Sequence, residues 1–385
     1  MKVIYITGSI LVIFLIIFAL MYKTSKNTRT ISVLMSQNSI KHYLKKHNAH
    51  KDGNTPLITA ILSNNASRCI SLISTKTNIN TPNNQGDTPL HIAARLGYTK
   101  LALMLIKNGA DINAANNQGN TPLISAVIAD HLNLVKLFEK QGASVNVKNS
   151  NGDTPLICAI KHGNIDIAKY FLSSVKYRGI NSYKRDGNTL LSIAVSNNQP
   201  AMVNFLISHG ALVNRANNFR ISPLYIAAKK GYANIAKILL RHGGDINYKN
   251  NHGDTALNAA AYHGRYDVVK ILISHGANIH TKDKDGDTPL NNAAYYGYKK
   301  IVNFLLSRGA HVNTSDNFGN TPLINAVYFD HYAIIKSLVF HHANVMQKNN
   351  YNKTPLIYAI DKGYTKIAKF LKLHGASCKA QPLIH

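Results

Sequence analysis

Histidine and cysteine are the residues in this chain with the most chemical potential, and their spacing decides what they can do. There are 18 histidines and 3 cysteines in 385 residues. His209, His242, His275 and His374 each stand directly before a glycine. A histidine at a helix C-terminus interacts favourably with the helix dipole and the last carbonyls, so structure accounts for that spacing. His341-His342 is too isolated to form a site. Cys69, Cys158 and Cys378 are odd in number and far apart, which excludes a disulfide framework and a zinc-spaced set. Cys158 falls where small apolar residues recur on a helix and is assigned to the core. The sequence contains neither a glycine-rich phosphate loop nor a nucleophile elbow. No catalytic residue, metal ligand, cofactor site or small-molecule substrate site is assigned.

A second set of residues is suited to recognition. Tyr262-His263, Tyr295-Tyr296 and Tyr328-Phe329 recur at a spacing of 33, bordered by Lys229, Lys230 and Lys362. Aromatic side chains give large contact area at low entropy cost and are frequent interface anchors. On one face they would form an aromatic strip that binds a protein partner. The competing reading is that they pack only against one another between structural units, or reflect composition.

The elements that would position them are themselves periodic. Gly86-Asp87-Thr88-Pro89-Leu90 recurs at Gly119, Gly152, Gly286 and Gly319, with weaker forms at Gly187, Ser222 and Gly253. Successive Thr or Ser positions lie 33 residues apart, except for one step of 35 between Thr154 and Thr189. Asn or Asp followed by Gly makes a turn, Thr caps a helix, and Pro in the first turn sacrifices no hydrogen bond. A short helix follows, as in Leu90 to Leu96, then a second with an apolar stripe such as Val268, Val269, Leu272 and Ile273. No unit this small buries its apolar face alone, so neighbours must stack.

Thr88-Pro89-Leu90-His91-Ile92-Ala93-Ala94 followed by Asn108-Gly109-Ala110-Asp111-Ile112-Asn113 resembles the ankyrin consensus, and the likeness extends from about residue 50 to 378. That resemblance implies an all-α solenoid of about ten helix-turn-helix repeats joined by β-turns. It also places the ends of the first helices, the aromatic strip included, on a concave binding face. The histidine after Pro-Leu survives only at His91, so hydrogen bonding at the turns should vary. The fifth repeat lacks the proline, carries Asn198 in place of a glycine, and follows a two-residue insertion near Lys176 to Ser182. It is the candidate for a bend or weak interface.

At the amino terminus, Val3 to Tyr22 is twenty residues without a charge, long enough as a helix for a single membrane pass. A cleaved secretory signal is the rival reading. Lys23, Lys26 and Arg29 after the span favour a cytoplasmic body. The domain reading is 1–29 membrane segment and linker, 30–50 degenerate capping repeat, 51–378 ankyrin solenoid and 379–385 tail. The formal charge of +27 suits anionic partners, and an anionic lipid surface is a possible contact. Its lysines are spread over nearly every repeat, so specific nucleic-acid recognition is not expected. The functional expectation is a membrane-tethered protein-interaction scaffold with an unknown protein client. The alternative is a secreted repeat effector that binds a host protein.

Overall fold

The computed structural model describes residues 52–75, 78–173 and 179–377. These residues form twenty helices in ten pairs, a first helix of seven or eight residues followed by a second of nine. The same local chemistry starts each first helix. The Thr or Ser side chain accepts the N–H of the residue three further on, from Thr55 with Ile58 at 3.2 Å to Ser222 with Tyr225 at 3.2 Å. Leu190 and Ala256 replace the proline, yet their helices begin at the same position because Thr189 and Thr255 still cap them.

The first helix stops at a residue in the left-handed region. Glycine fills this role in several repeats, and Asn64, Asp130, Asn198 and Asp330 fill it elsewhere with φ between 51° and 59°. Asn and Asp are the side chains that tolerate this conformation best, so Asn198 does not break the fifth repeat. The residue that opens the second helix then braces the preceding repeat. His131 Nε2 lies 3.1 Å from the Arg95 carbonyl, and His331 Nε2 lies 3.0 Å from that of Tyr295.

Within each compact unit, consecutive first helices pack against one another and so do most consecutive second helices. The repeated leucines (Leu57, Leu90, Leu123, Leu224, Leu257, Leu290, Leu323 and Leu356) are at most 3% exposed. Each contributes about 1.5–3 kcal/mol by leaving water. Alanine pairs such as Ala93-Ala94 and Ala293-Ala294 are fully buried and allow the helices to approach.

Polar groups at these seams are also repeated. His91 is fully buried, with Nδ1 at 2.9 Å from Thr88 Oγ1 and Nε2 at 2.8 Å from the Asn120 carbonyl of the next repeat. Asn258 and Asn291 reproduce this bridge. Asn291 Oδ1 accepts from Thr288, while its Nδ2 donates to the Thr314 and Asn320 carbonyls at 3.2 and 3.3 Å. The bonding at the turns does vary, because isoleucines at the equivalent positions make no such bridge, but Asn restores it twice.

The chain divides into two compact units, one ending at Ser144 and one beginning at Val145. The first contains three of the described repeats and the second seven. This division falls one repeat before the insertion near Lys176 to Ser182, part of which lies outside the described residues.

The membrane expectation requires correction. No helix among the described residues is long and apolar enough to cross a membrane. The longest have nine residues, roughly 14 Å at 1.5 Å per residue, against a hydrocarbon core of about 30 Å. The segment Val3–Tyr22, like the expected cap at 30–50 and the tail, lies outside the described residues. The single-pass anchor, the cytoplasmic placement and the lipid-surface contact that depended on the anchor are therefore withdrawn.

Two substitutions test these local rules. Asn291→Ala strands buried partners on two repeats and should cost about 1–3 kcal/mol in urea unfolding, whereas Asn291→His, which copies the His91 bridge, should cost less. His342 holds φ 64° at a position where seven other repeats place glycine. His342→Gly should stabilise the protein by about 0.5–1 kcal/mol, read in the same titration.

Candidate functional site

The residues of the expected strip come together in the second unit. They stand at the C-terminal ends of consecutive first helices: Pro223–Lys230, Ala256–Tyr262, Pro289–Tyr295 and Pro322–Tyr328. From His263 the ring centroids step to Tyr262 at 4.9 Å, Tyr296 at 4.5 Å, Tyr295 at 4.8 Å, Phe329 at 4.3 Å and Tyr328 at 4.9 Å. Tyr358 of the last repeat continues the ladder edge-on at 5.4 Å. Such pairs contribute about 0.5–1.5 kcal/mol each beyond the area they bury.

Packing between repeats does not consume the rings. Tyr262, Tyr295, Tyr296, Tyr328 and Phe329 remain between 37% and 44% exposed. The ladder is thus braced by its own contacts and still presents a face to solvent. Burial and a hydrogen bond with Tyr262 raise the pKa of Tyr296. Burial and then the positive charges of Lys229 and Arg265 lower that of His263, so Lys229 acts electrostatically on the near end of the ladder. Lys362 Nζ sits 4.1 Å from the Tyr328 centroid at the far end. Lys230 is exposed, and no ring contact joins it to the ladder among the described residues.

The turns beside the ladder carry a pattern that was not singled out from the sequence. In several repeats the residue before the capping Thr or Ser meets the residue 29 positions later, at the start of the next turn. Asn116 Nδ2 donates to Asp87 at 2.7 Å, Asn217 Nδ2 to Asn188 at 3.0 Å and Asn349 Nδ2 to Asn320 at 2.8 Å. In two consecutive repeats both partners are aspartates, Asp254 with Asp283 and Asp287 with Asp316. Asp254 still receives Asn250 Nδ2 at 3.1 Å and a hydrogen bond from the Tyr225 hydroxyl. The Asp287 carboxylate has no hydrogen bond or ion pair among the described residues. Burial, followed by the charges of Asp283, Asp316 and Asp285, raises its pKa to about 7. Burial is likewise the main cause that raises Asp283.

Other clusters do not make chemistry. His280 and His311 stack at 3.9 Å, but a metal centre needs more donors, and no group of three or more His, Cys, Asp or Glu is placed to hold a metal among the described residues. Cys69 and Cys158 are free and buried, and burial raises both thiols, Cys158 to about 12, which makes it a poor nucleophile. A cavity of about 880 Å³ opens by the fourth and fifth repeats, with Lys148, Lys184, Arg185 and Asp186 in its wall. Lys184 is already engaged with Asp153 at 3.0 Å.

Short paired helices, joined by capped turns and stacked in register, define a helical repeat solenoid, a class of protein whose surface serves recognition. The sequence profile for ankyrin repeats in three copies matches residues 20–116, 72–149, 123–217, 191–283, 224–316 and 290–382. The chain belongs to the ankyrin-repeat family, and its described residues form an all-α solenoid. No curated protein matches it.

The facing carboxylates predict an unusual pH dependence. A carboxyl whose folded pKa is raised from 3.8 to about 7 binds its proton more tightly in the native state. Its contribution is therefore favourable at low pH and is lost as pH rises through about 7. Asp316→Asn removes one repelling charge and supplies an amide like that of Asn116. It should stabilise the protein by on the order of 1 kcal/mol at pH 8 and by clearly less at pH 5.5; an equal effect at both would rule out the repulsion.

Proposed function

We propose that this protein is an ankyrin-repeat scaffold that binds a protein partner through the aromatic ladder of its second unit. The observation that carries the reading is one continuous set of rings, contributed by three successive repeats, packed together and still about two-fifths exposed. Rings held by their neighbours lose little further rotamer entropy on binding, which favours them as anchors. Lys229, Lys230 and His263 form the rim at one end. Charged groups at a rim mainly influence association rate and partner choice.

The reading does not invoke a membrane and stands nearer to the free repeat effector than to the tethered adaptor. What remains from both is recognition of a protein by the repeats.

Proximity labelling in the native cells with a tag at the C-terminus, followed by capture with the purified protein, tests it. One partner should be enriched, and the double change Tyr295→Ala and Tyr328→Ala should reduce its affinity at least tenfold. A loss of about 2 kcal/mol is typical of a single hot spot. Undiminished binding by a double variant that keeps its far-UV circular dichroism would reject the ladder as the binding surface.

A further inference from the structure

The ladder runs beside a row of positions whose chemistry repeats along the chain. A residue just before the helix cap and the residue eight positions later form an ion pair wherever the chain supplies both charges. Arg95 lies 2.7 Å from Asp87, Lys161 pairs with Asp153, and Lys353, with the signs exchanged, lies 2.7 Å from Asp361. In that last pair the ammonium also lies 5.3 Å from the Tyr358 centroid, between a carboxylate and an aromatic ring.

The seventh and eighth repeats keep the carboxylate but not the cation. Asp254 and Asp287 occupy the first position, and the second is held by Tyr262 and Tyr295, two rungs of the ladder. No ion pair reaches either carboxylate among the described residues. Asp283 and Asp316, in the next turns, add negative charge where Asn116 supplies an amide to Asp87. A metal ion does not meet the need, because these groups do not form a metal-binding set. A cation lying against a ring and paired with a carboxylate does, and the chain builds that arrangement itself at Lys353.

We infer that the ladder receives a basic segment of the partner, whose two cationic side chains fill the seats at Asp254–Tyr262 and Asp287–Tyr295. The seats belong to adjacent helices, and packed helices lie about 8–10 Å apart. An extended polyproline-type chain returns to the same face every three residues, with a rise of about 3.1 Å per residue, so residues i and i+3 match that spacing. Arginine fits best, since its guanidinium can stack on a tyrosine while it pairs with a carboxylate. The seats would be local acidic sites on a chain of net charge +27, so the selection is positional and not a bulk attraction.

This inference rests on the ladder being the binding surface. The test uses the full chain and fluorescent twelve-residue peptides of Gly, Ser and Pro carrying two arginines at i and i+3, two adjacent arginines, or two glutamates at i and i+3. The i, i+3 arginine peptide should bind at least tenfold more tightly than the other two. Asp287→Asn should weaken it about tenfold, Tyr295→Ala should do the same, and the exposed control Asp166→Asn, with the same change in net charge, should leave it unaltered. Equal binding of all peptides, preference for glutamate, or indifference to Asp287→Asn would overturn the proposal. Measuring the captured partner on the same variants separates the two claims. Loss with Tyr295→Ala and Tyr328→Ala but none with Asp254→Asn and Asp287→Asn removes the cation seats and leaves the ladder standing. Indifference to all four removes both.

Discussion

Stacking between consecutive repeats is the constraint on which everything else depends. Helices of seven to nine residues are below the length at which a helix holds in water on its own. Within each unit a pair exists because its leucine and alanine face is covered by a neighbouring pair, and because buried polar groups at the seam find partners across it. The turn glycines, the capping threonines and the bridging side chains of His91, Asn258 and Asn291 all serve register between neighbours. Side chains can therefore vary freely only where they leave that register intact, as at the helix ends and turn starts.

The seam itself shows how far such variation goes. At equivalent positions it carries an amide pair at Asn188 and Asn217, an ion pair at Asp153 and Lys184, and opposed carboxylates at Asp287 and Asp316. The backbone geometry accommodates all three. Polar satisfaction does not follow automatically from the repeat; it is decided residue by residue, and a position left without its amide keeps an unfavourable charge.

Much of this was legible in the sequence because one residue type did one job at one spacing. Thr-Pro-Leu every 33 residues fixed the helix starts, and the paired aromatics at the same interval fell on equivalent helix ends. Three features were harder to read. The equivalence of Asn258 and Asn291 with His91 depends on an amide reaching the same two groups as an imidazole, which residue identity conceals. The carboxylate seats join residues 8 and 29 apart, so they emerge only when turns from neighbouring repeats are superposed. Asn198 looks like a defect if glycine is the requirement, whereas the requirement is a left-handed backbone that asparagine can meet. The membrane reading came from hydropathy in a segment by itself, and nothing in the described helices extends it.

The ladder and the carboxylates occupy the same interfaces, and their energetics explain why they can coexist. Each seam among the seventh, eighth and ninth repeats carries two facing aspartates, which at neutral pH destabilise it. Across those same seams run the Tyr262–Tyr296 and Tyr295–Phe329 contacts, at 4.5 and 4.3 Å, each contributing about 0.5–1.5 kcal/mol. Ring packing can thus offset carboxylate repulsion without neutralising it, and leaves negative charge beside an exposed aromatic surface. A seam optimised for stability alone would use asparagine at the turn start and arginine or lysine at the helix end, as the second repeat does with Asn116 and Arg95. Departure from both choices in two consecutive repeats, under the aromatic ladder, is not something the fold requires, and it fits the proposed use of this face as a binding surface.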